Sequence, residues 1–371
     1  MKIGLVLDTT LDSNAGVQQY FKGLARYLLS KKHKVKFLVP PSKDKGEFKG
    51  NIISFGREIT VKGNANTIKT VFKTSRRRIR NILGKEEFDV IHISSPFSPF
   101  LGAKILRNAN CPVVSTYLVY GRNSFYRLAG FFLSMLMYRV YKKIDKYIAP
   151  SFAAKKEAEF TMPGKYEVIP IGVDTTDYSP KVKPIEKYNN KTFNILFIGR
   201  LEKRKGVDYL IKAYKVVKDD YPNTRLIIVG KGPMREDLDK LVSDLDLNDV
   251  EFTGYIDEKD KPRYYATADI CVFPAIYGES FGVVLIEAMA SGKPTIAFRN
   301  EGYSFVLRNL QMLLVENKSI EKLVSKMIQF IKSKSLKKNY GMMCLEESRK
   351  YSWDSIGERI IKIYKGLNKD N

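Results

Sequence analysis

Cysteine and histidine are scarce in this chain, which limits the chemistry that its side chains can supply. Three cysteines and two histidines occur among 371 residues. Cys111, Cys271 and Cys344 show no CxxC or paired spacing, and an odd number without pattern suits a reducing cytosol better than a disulfide framework. No group of His, Cys and Asp has metal-ligand spacing, and no DxD pair precedes a suitable strand. We therefore expect a protein that needs no metal ion and no other cofactor.

Long apolar runs are also absent. No stretch approaches the ~20 residues that a transmembrane helix needs. The apolar run before Asp8 is too short for a signal peptide, and no small-residue cleavage site follows it. The segment 125–143 is predicted to be a helix buried in the core rather than one at a membrane. These features predict a cytoplasmic protein that can still contact a membrane surface.

Positive charge is concentrated in the first part of the chain. Residues 1–150 carry 27 Lys and Arg against 9 Asp and Glu, a net charge of +18 out of +24 for the whole chain. Residues 151–371 carry 37 against 31, a net charge of only +6. A basic half joined to a nearly neutral half indicates that the first half meets an anionic surface or acceptor. The alternative is that the charge only keeps a lysine-rich protein in solution.

Apolar runs and helical patterns alternate along the chain in two series. KIGLVL, KVKFLVP, FDVIHIS, PVVSTY and KYIAPS are separated by intervals long enough for crossover helices, and FNILFIGR, RLIIVG, VEFTGY, ICVFPA and PTIAF repeat the pattern. The sequence therefore predicts an α/β protein with two doubly wound, parallel-sheet (Rossmann-like) domains and a ligand cleft between them. We predict domains at 1–176 and 192–350, a linker at 177–191 and a helix at 351–371 that crosses back to the first domain.

A cluster of cations follows the first strand of the second domain. That strand ends at Gly199, and the loop LEKRKG precedes the next helix. Arg200 and Lys205 therefore lie at the carboxyl end of a parallel strand, where such sheets bind ligands. A guanidinium and an ammonium are the groups that hold a diphosphate and stabilise the charge on it as it departs. The alternative is an ordinary basic loop before a helix.

Two glutamates, Glu279 and Glu287, bracket seven residues in the segment ESFGVVLIE. The loop between them leads into an apolar helix whose first N–H groups favour an anion. This segment, with GRLEKRKG, VGKGP and VEFTGYI, resembles the nucleotide-sugar signature of the retaining GT-B glycosyltransferases of family 4. The match is strongest over about 30 residues, from ATADICVFPA to the strand PTIA.

The resemblance implies a GT-B fold, a nucleotide-sugar donor and a role for each matching residue. Arg200 and Lys205 would bind the pyrophosphate, Glu279 would contact the donor sugar, and these three would be catalytic. Glu287 would accept hydrogen bonds from the ribose hydroxyls. The complete donor-binding set is Gly16, Gly199, Arg200, Lys205, Gly230, Gly254, Ile256, Glu279, Ser280, Phe281, Gly282, Val283 and Glu287.

The loop after the first strand forms a second candidate site. It opens a helix at Gly16, which lets a phosphate approach the helix N-terminus. The run GVQQYFKGLARYLL resembles more narrowly the phosphatidylinositol mannosyltransferases, in which a G-G-V-Q segment faces donor and acceptor. Ala15 replaces the first glycine, so only Gly16 and Gln18 match. The resemblance implies GDP-mannose as the donor and a lipid headgroup such as phosphatidylinositol as the acceptor.

A basic amphipathic stretch at residues 69–85 supports a lipid acceptor. Apolar side chains alternate there with the cations Lys73, Arg76, Arg77, Arg78 and Arg80. Such stretches lie on anionic membranes, so we predict peripheral association with the inner face of the cytoplasmic membrane. The alternative is a helix whose basic face is only solvated.

One departure from the family pattern affects the identity of the sugar. Many members place a histidine near the donor sugar where this chain has Leu118. The predicted activity is nevertheless hexosyl transfer with retention of configuration. A UDP-sugar-dependent transferase that builds cell-surface polysaccharide or glycolipid is the alternative. A non-catalytic polyanion-binding protein is a third, although no nucleic-acid-binding motif occurs and no nucleic-acid partner is expected.

Overall fold

The structure is a computed structural model that describes residues 1–12, 15–42, 46–57, 59–63, 66–71, 74–94, 100–118 and 124–369. It divides into two compact units, each described here by itself. Unit 1 comprises Met1–Gly172 and Trp353–Asn371, and unit 2 comprises Val173–Ser352.

Unit 1 alternates strands and helices for most of its length. Its elements before residue 173 are β1 (Lys2–Val6), α1 (Gly16–Ser30), β2 (Lys34–Val39), β3 (Ile52–Ser54), β4 (Ile59–Gly63), β5 (Asn66–Thr70), α2 (Arg76–Glu86), β6 (Val90–Ser94), α3 (Leu101–Asn108), β7 (Val113–Thr116), α4 (Ser124–Tyr141), β8 (Lys146–Ala149), α5 (Phe152–Thr161) and β9 (Tyr166–Val168).

The main sheet of unit 1 is parallel, with strand order β3-β2-β1-β6-β7-β8-β9. The order reverses between β1 and β6, as in a doubly wound sheet. Helices α2, α3, α4 and α5 share one apolar core cluster with the sheet. The hairpin of β4 and β5, which pair antiparallel, was not predicted from the sequence.

Unit 2 repeats the same alternation. Its elements are β10 (Phe193–Ile198), α6 (Val207–Asp220), β11 (Thr224–Val229), α7 (Arg235–Asp244), β12 (Val250–Gly254), α8 (Lys261–Thr267), β13 (Ile270–Phe273), α9 (Val283–Ala290), β14 (Thr295–Phe298), α10 (Glu301–Val306), β15 (Leu314–Val315), α11 (Ile320–Lys332) and α12 (Lys334–Ser348). The last helix of the chain, α13 (Trp353–Lys369), belongs to unit 1.

The sheet of unit 2 is also parallel, with order β12-β11-β10-β13-β14-β15. Its order reverses between β10 and β13, so both sheets have the same topology. The prediction of two doubly wound, parallel-sheet domains is therefore confirmed. The residues predicted as a linker, 177–191, lie within unit 2, where Tyr178 and Tyr188 are buried and the Ile185 N–H donates to Thr267 Oγ1 at 2.9 Å.

Helix α13 packs on α1 through contacts that require small residues. A Cβ on Gly23 would lie 2.5 Å from Trp353 Nε1, and one on Gly357 would lie 2.1 Å from Tyr27 Cδ1. Trp353 also covers Gly172, where a Cβ would lie 2.5 Å from its ring. These glycines let two helices approach closely on the side of the sheet that α1 covers.

The prediction that residues 125–143 form a buried helix is wrong for its outer side. The inner side of α4, with Met137 and Tyr141, joins the core, whereas Phe132, Met135 and Leu136 are exposed. The sequence pattern did not show this because apolar residues occur on both sides of the helix. No helix in the described ranges is long and apolar enough to cross a membrane.

Candidate active site

The reversal of strand order in unit 2 brings two loops together at the carboxyl ends of β10 and β13. These strands are hydrogen-bonded neighbours, with Ile195 opposite Ile270. The loop after β10 carries residues 199–206, and the loop after β13 carries residues 274–282. A doubly wound sheet binds ligands at this position because the adjacent loops diverge and leave a crevice.

Glu279 is held by two cations from the loop after β10. Its Oε1 lies 2.5 Å from Arg204 Nη1 and 2.7 Å from Lys205 Nζ. The side chains of Lys205 and Glu279 are 12% and 11% exposed, so water screens this pair poorly. The structure thus joins the predicted Glu279 and Lys205 and adds Arg204 to them.

Glu202 connects Arg200 to Arg204, and through Arg204 to Glu279. Its Oε1 lies 3.0 Å from Arg200 Nη1, and its Oε2 lies 2.7 Å from Arg204 Nε. Burial opposes the charge of Arg204, but the carboxylates of Glu279 and Glu202 outweigh burial and raise the pKa of Arg204. We call Arg200, Glu202, Arg204, Lys205 and Glu279 the cation cluster; its formal charge is +1 because three cations meet two carboxylates.

Backbone contacts fix the two loops against each other. The Ile276 N–H donates to the Arg204 carbonyl at 2.8 Å, and Arg204 Nη1 donates to the Gly278 carbonyl at 3.2 Å. Gly206 has φ of 64°, and a Cβ there would lie 2.1 Å from the Pro274 carbonyl oxygen. Only glycine satisfies both conditions. The positions of Arg204 and Lys205 therefore depend on this close approach.

Helix α9 begins directly after the cation cluster. Its N-cap is Gly282, with φ of 121° and no side-chain hydrogen bond to the first turn. Phe281 is buried against Phe305 and Tyr351, and Ser280 and Val283 flank the turn at intermediate exposure. The first turn contains no acidic residue, so its N–H groups can donate hydrogen bonds to an anion without competition from a carboxylate in that turn.

Glu287 is buried in a polar group of its own. Its Oε1 accepts from Lys261 Nζ at 2.7 Å, and its Oε2 accepts from Tyr265 Oη at 2.8 Å. Burial opposes the charge of Lys261, but Glu287 and Glu258 outweigh it and raise the pKa of Lys261. These two donors orient the carboxylate, whose oxygens can also accept hydrogen bonds from hydroxyl groups.

The predicted glycines of unit 2 lie where backbone segments meet. A Cβ on Gly230, with φ of 141°, would lie 1.9 Å from the Gly199 carbonyl oxygen. The Gly230 N–H donates to the Gly254 carbonyl at 2.9 Å, so the ends of β10, β11 and β12 are adjacent. Ile256 follows β12 at intermediate exposure. These residues line the same sheet edge as the cation cluster.

In unit 1 the structure places Gly16 and Gln18 at the start of α1. Gly16 is exposed, and a Cβ there would meet no atom within 4 Å. Gln18 is 3% exposed, and its amide nitrogen donates to Thr9 Oγ1 at 2.7 Å and to the Thr10 carbonyl at 3.0 Å. Its Oε1 is buried and has no hydrogen-bond partner in the described part of the chain. Gln18 therefore positions the loop after β1.

The predicted membrane residues lie on or near α2. Arg76, Arg77, Arg78 and Arg80 are exposed, and Lys73 lies outside the described residues. The apolar side chains of this stretch face inward: Val71 and Ile79 are fully buried, and Ile82 and Leu83 pack on the core. Helix α2 therefore presents cations outward without an apolar outer side.

Two positions concern the histidines and a possible metal. Leu118 is partly buried just after β7, so no imidazole occupies that position. His92 is buried and pairs with Thr116 Oγ1 at 2.6 Å and Tyr364 Oη at 2.5 Å. Burial lowers the pKa of His92 to about 3, so its role in unit 1 is that of a neutral hydrogen-bonding group. Among the described residues, no three His, Cys, Asp or Glu side chains are grouped to hold a metal ion.

Arg204, Glu202 and Lys261 belong to these polar groups but were not predicted from the sequence. Arg204 was one of several loop cations, and nothing in its spacing distinguished it from Lys203. The structure does: Arg204 bridges two carboxylates, whereas Lys203 pairs with Asp208 and is 62% exposed. Lys261 is 26 residues from Glu287, so their pairing depends on the packing of α8 on α9.

Two family profiles together match most of the chain. The profile "Glycosyltransferase Family 4" matches residues 14–177, and the profile "Glycosyl transferases group 1" matches residues 179–343. A phosphatidyl-myo-inositol mannosyltransferase of Mycobacterium leprae (strain TN) is 29% identical over 367 residues, which cover 98% of this chain and 96% of that protein.

Solved structures share the fold over the whole length. A glycosyltransferase from Rickettsia africae ESF-5 superposes with a TM-score of 0.76 at 20% identity, covering 100% of this chain and 99% of that one. Anabaena Alr3699/HepE, solved in complex with UDP, superposes with a TM-score of 0.76 at 18% identity, covering 99% and 100%.

The two parallel, doubly wound sheets confirm the predicted GT-B fold, which the solved glycosyltransferase structures share. The chain belongs to the glycosyltransferases of family 4, with a group 1 glycosyltransferase domain as its second half.

Proposed function

We propose that this glycosyltransferase transfers mannose from GDP-mannose to a phosphatidylinositol-type membrane lipid, with retention of anomeric configuration and without a metal ion. The cation cluster is the observation that carries the mechanism. Arg204 and Lys205 are fixed by Glu279 and by the loop after β13, so their charges need no rearrangement when a diphosphate departs. Preorganised donors of this kind contribute about 3–4 kcal/mol each to transition-state stabilisation.

In the proposed reaction the bond between the sugar C1 and the β-phosphate oxygen breaks, and its electron pair remains on the phosphate. The acceptor hydroxyl oxygen forms the new bond to C1 on the same face of the sugar and releases its proton to the departing phosphate. Arg200 and Lys205 stabilise the growing phosphate charge, with Arg204 supporting them through Glu202 and Glu279. Glu279 accepts hydrogen bonds from hydroxyl groups of the sugar, and Glu287 accepts them from the ribose hydroxyls.

The donor and the acceptor are proposed from the similarity to phosphatidyl-myo-inositol mannosyltransferases over nearly the full length. The exposed arginines of α2 agree with an acceptor at an anionic surface on the cytoplasmic side. A UDP-sugar-dependent transferase that makes cell-surface polysaccharide or glycolipid is the second candidate, because Anabaena Alr3699/HepE was solved in complex with UDP.

Donor and acceptor profiling tests the proposal. The purified protein is incubated with GDP-mannose, UDP-glucose, UDP-GlcNAc or UDP-galactose, each with vesicles that contain or lack phosphatidylinositol. We expect GDP release and a mannosylated lipid only with GDP-mannose and phosphatidylinositol, at a rate that EDTA does not change. NMR coupling constants should show the α-configuration of the donor in the product.

Turnover with UDP-sugars alone would contradict the donor assignment and favour the second candidate. A β-linked product would contradict retention, and loss of activity in EDTA would contradict metal independence. Lys205→Ala is the negative control, because a signal that persists in this variant does not come from the cation cluster.

A further inference from the structure

The outer side of α4 exposes a group of large apolar side chains. Phe132, Met135, Leu136 and Tyr138 are 57%, 62%, 82% and 52% exposed. The inner side, with Met137 and Val140, is buried in the core of unit 1. A helix anchored on one side and apolar on the other has an outer side suited to a nonaqueous partner. We call these four exposed residues the α4 apolar surface.

The character of the outer side changes along the helix from apolar to basic. Arg139, Lys142 and Lys143 are exposed within two turns of the α4 apolar surface. Lys142 and Lys143 lie in the turn that directly follows α4, so cations adjoin the apolar side chains along the chain. An interfacial helix places its apolar side chains below the lipid headgroups and its basic side chains among them. Lys142 Nζ also lies 4.8 Å from the centre of the Tyr138 ring.

The basic end of α4 continues onto α3 and α2. Lys143 Nζ donates to the Arg107 carbonyl at 2.8 Å, which joins the turn after α4 to α3. Asn108 Oδ1 accepts from Arg76 Nε at 3.3 Å and from Arg80 Nε at 3.1 Å, which joins α3 to α2. Neither α3 nor α4 contains an acidic residue. The cations at the end of α4 are thus connected through α3 to those of α2.

We propose that the α4 apolar surface is the part of unit 1 that inserts into the interface of an anionic lipid bilayer, with the cations of α4, α3 and α2 contacting the headgroups. Helix α2 cannot provide the insertion, because its apolar side chains Ile79, Ile82 and Leu83 pack on the core. A second copy of the chain fits less well, since pairing this surface with itself brings cations near cations. Anionic headgroups neutralise them instead, at about 1 kcal/mol per basic residue.

This inference rests on the proposed function in one respect, because the membrane is where the lipid acceptor would be found. Binding and turnover are therefore measured separately. Vesicle binding is measured by flotation without nucleotide sugar, and transfer is measured with GDP-mannose on the same vesicles. Binding through α4 without transfer to phosphatidylinositol would leave this inference standing and remove the proposed acceptor.

The principal variant is Met135→Gln/Leu136→Gln, and Met342→Gln/Met343→Gln on α12 is the matched control. Met342 and Met343 are 53% and 40% exposed but belong to unit 2. All four side chains are at the surface, so both variants should fold. On vesicles of phosphatidylglycerol and phosphatidylcholine, we expect the α4 variant to bind at least about tenfold more weakly than the wild type. The control should bind as the wild type does.

Insertion into the bilayer is measured directly with the Leu136→Trp variant, by the quenching of its fluorescence by lipids brominated in the acyl chain. We expect quenching of the introduced indole beyond that of the wild type, whose single tryptophan is Trp353. Met342→Trp should show no additional quenching. A third variant, Lys142→Gln/Lys143→Gln, should lower affinity about tenfold to thirtyfold on anionic vesicles and leave binding to neutral vesicles unchanged.

Three results would overturn the inference. One is wild-type affinity of the Met135→Gln/Leu136→Gln variant for anionic vesicles, and another is an absence of wild-type binding to these vesicles. The third is a wild-type dimer in sedimentation equilibrium that becomes monomeric in the α4 variant while vesicle binding stays the same. That result would assign the surface to a second copy of the chain.

Discussion

Two carboxylates in unit 2, Glu202 and Glu279, each hold two cations, and Arg204 is the cation that they share. Arg204 contacts both Glu202 and Glu279, so it connects Arg200 to Lys205 through the carboxylates. Removing the guanidinium leaves both carboxylates without one of their partners in a poorly hydrated place. Each carboxylate keeps one cation, Arg200 or Lys205, but the group loses the side chain that links its two halves, so Lys205 is positioned less firmly.

We predict that Arg204→Ala lowers kcat about 10²–10³-fold, as the loss of a preorganised donor group does. Arg200→Ala and Lys205→Ala should have effects of similar size. Lys203→Ala is the control on the same loop, and its kcat should stay within about a factor of two because exposed ion pairs contribute little. Steady-state kinetics with GDP-mannose and thermal melts of all four variants make the comparison. Equal kcat values for Arg204→Ala and Lys203→Ala would contradict the assignment.

His92 provides a pH-dependent contribution to the stability of unit 1. Burial lowers its pKa to about 3 in the folded state, from an ordinary value of 6.5. The unfolded chain therefore binds more protons below pH 6.5, and the free energy of unfolding falls as the pH decreases from 6.5 towards 3. The contribution of one such group reaches about 1.4 kcal/mol per pH unit.

We predict that the free energy of unfolding of the wild type depends more steeply on pH between 4 and 6.5 than that of His92→Gln. Urea titrations at several pH values, followed by the fluorescence of Trp353 in unit 1, measure both slopes. Glutamine keeps hydrogen-bonding groups near Thr116 and Tyr364 but does not titrate. Parallel slopes for the two proteins would show that His92 does not bind a proton on unfolding.

At the scale of elements, α13 is attached to unit 1 by close packing on α1. The approach depends on small residues, because a Cβ on Gly357 would lie 2.1 Å from the ring of Tyr27. Gly366, on the same helix, has no atom within 4 Å of a Cβ placed on it. Replacing each glycine with alanine therefore separates the effect of close packing on stability from the effect of helix propensity.

We predict that Gly357→Ala destabilises unit 1 by about 1–3 kcal/mol, as overpacked cores do. Gly366→Ala should instead stabilise it by up to about 1 kcal/mol, since alanine favours a helix interior. Urea unfolding followed by circular dichroism measures both. A stabilising Gly357→Ala would mean that α13 moves away from α1 at no cost.

At the scale of the whole molecule, each unit has its own parallel sheet, and all members of the cation cluster belong to unit 2. The residues around Glu287 belong to unit 2 as well. A site built from one unit does not need the other unit to assemble its side chains. Nucleotide binding should therefore be separable from transfer.

We predict that Val173–Ser352, produced alone, unfolds cooperatively and binds GDP, while transferring no sugar. Circular dichroism checks the fold, and isothermal titration calorimetry measures the affinity. The same fragment with Lys205→Ala should bind GDP at least about tenfold more weakly, since one charge-assisted contact is worth about 1.5–3 kcal/mol. A folded fragment that does not bind GDP would show that residues of unit 1 are needed for nucleotide binding.

The sequence by itself determined the two α/β domains, the parallel sheets and the family. Strands such as β10 and β11 are apolar runs with turns at their ends, so each can be recognised from its own segment of the sequence. Glu279, Lys205 and the glycine turns could also be proposed from the sequence, because their spacing within one loop or one helix start is itself the signal. The parts that depend on a single segment of chain were predictable.

Only the tertiary structure decided which distant residues meet. Arg204 and Glu279 are 75 residues apart, and their contact exists because β10 and β13 are neighbours in the sheet. The outer side of α4 was predicted to be buried, since its composition is apolar all round; the packing of the sheet covers only one side of it. The burial of a side chain depends on which residues pack against it, and the local sequence does not show which residues those are.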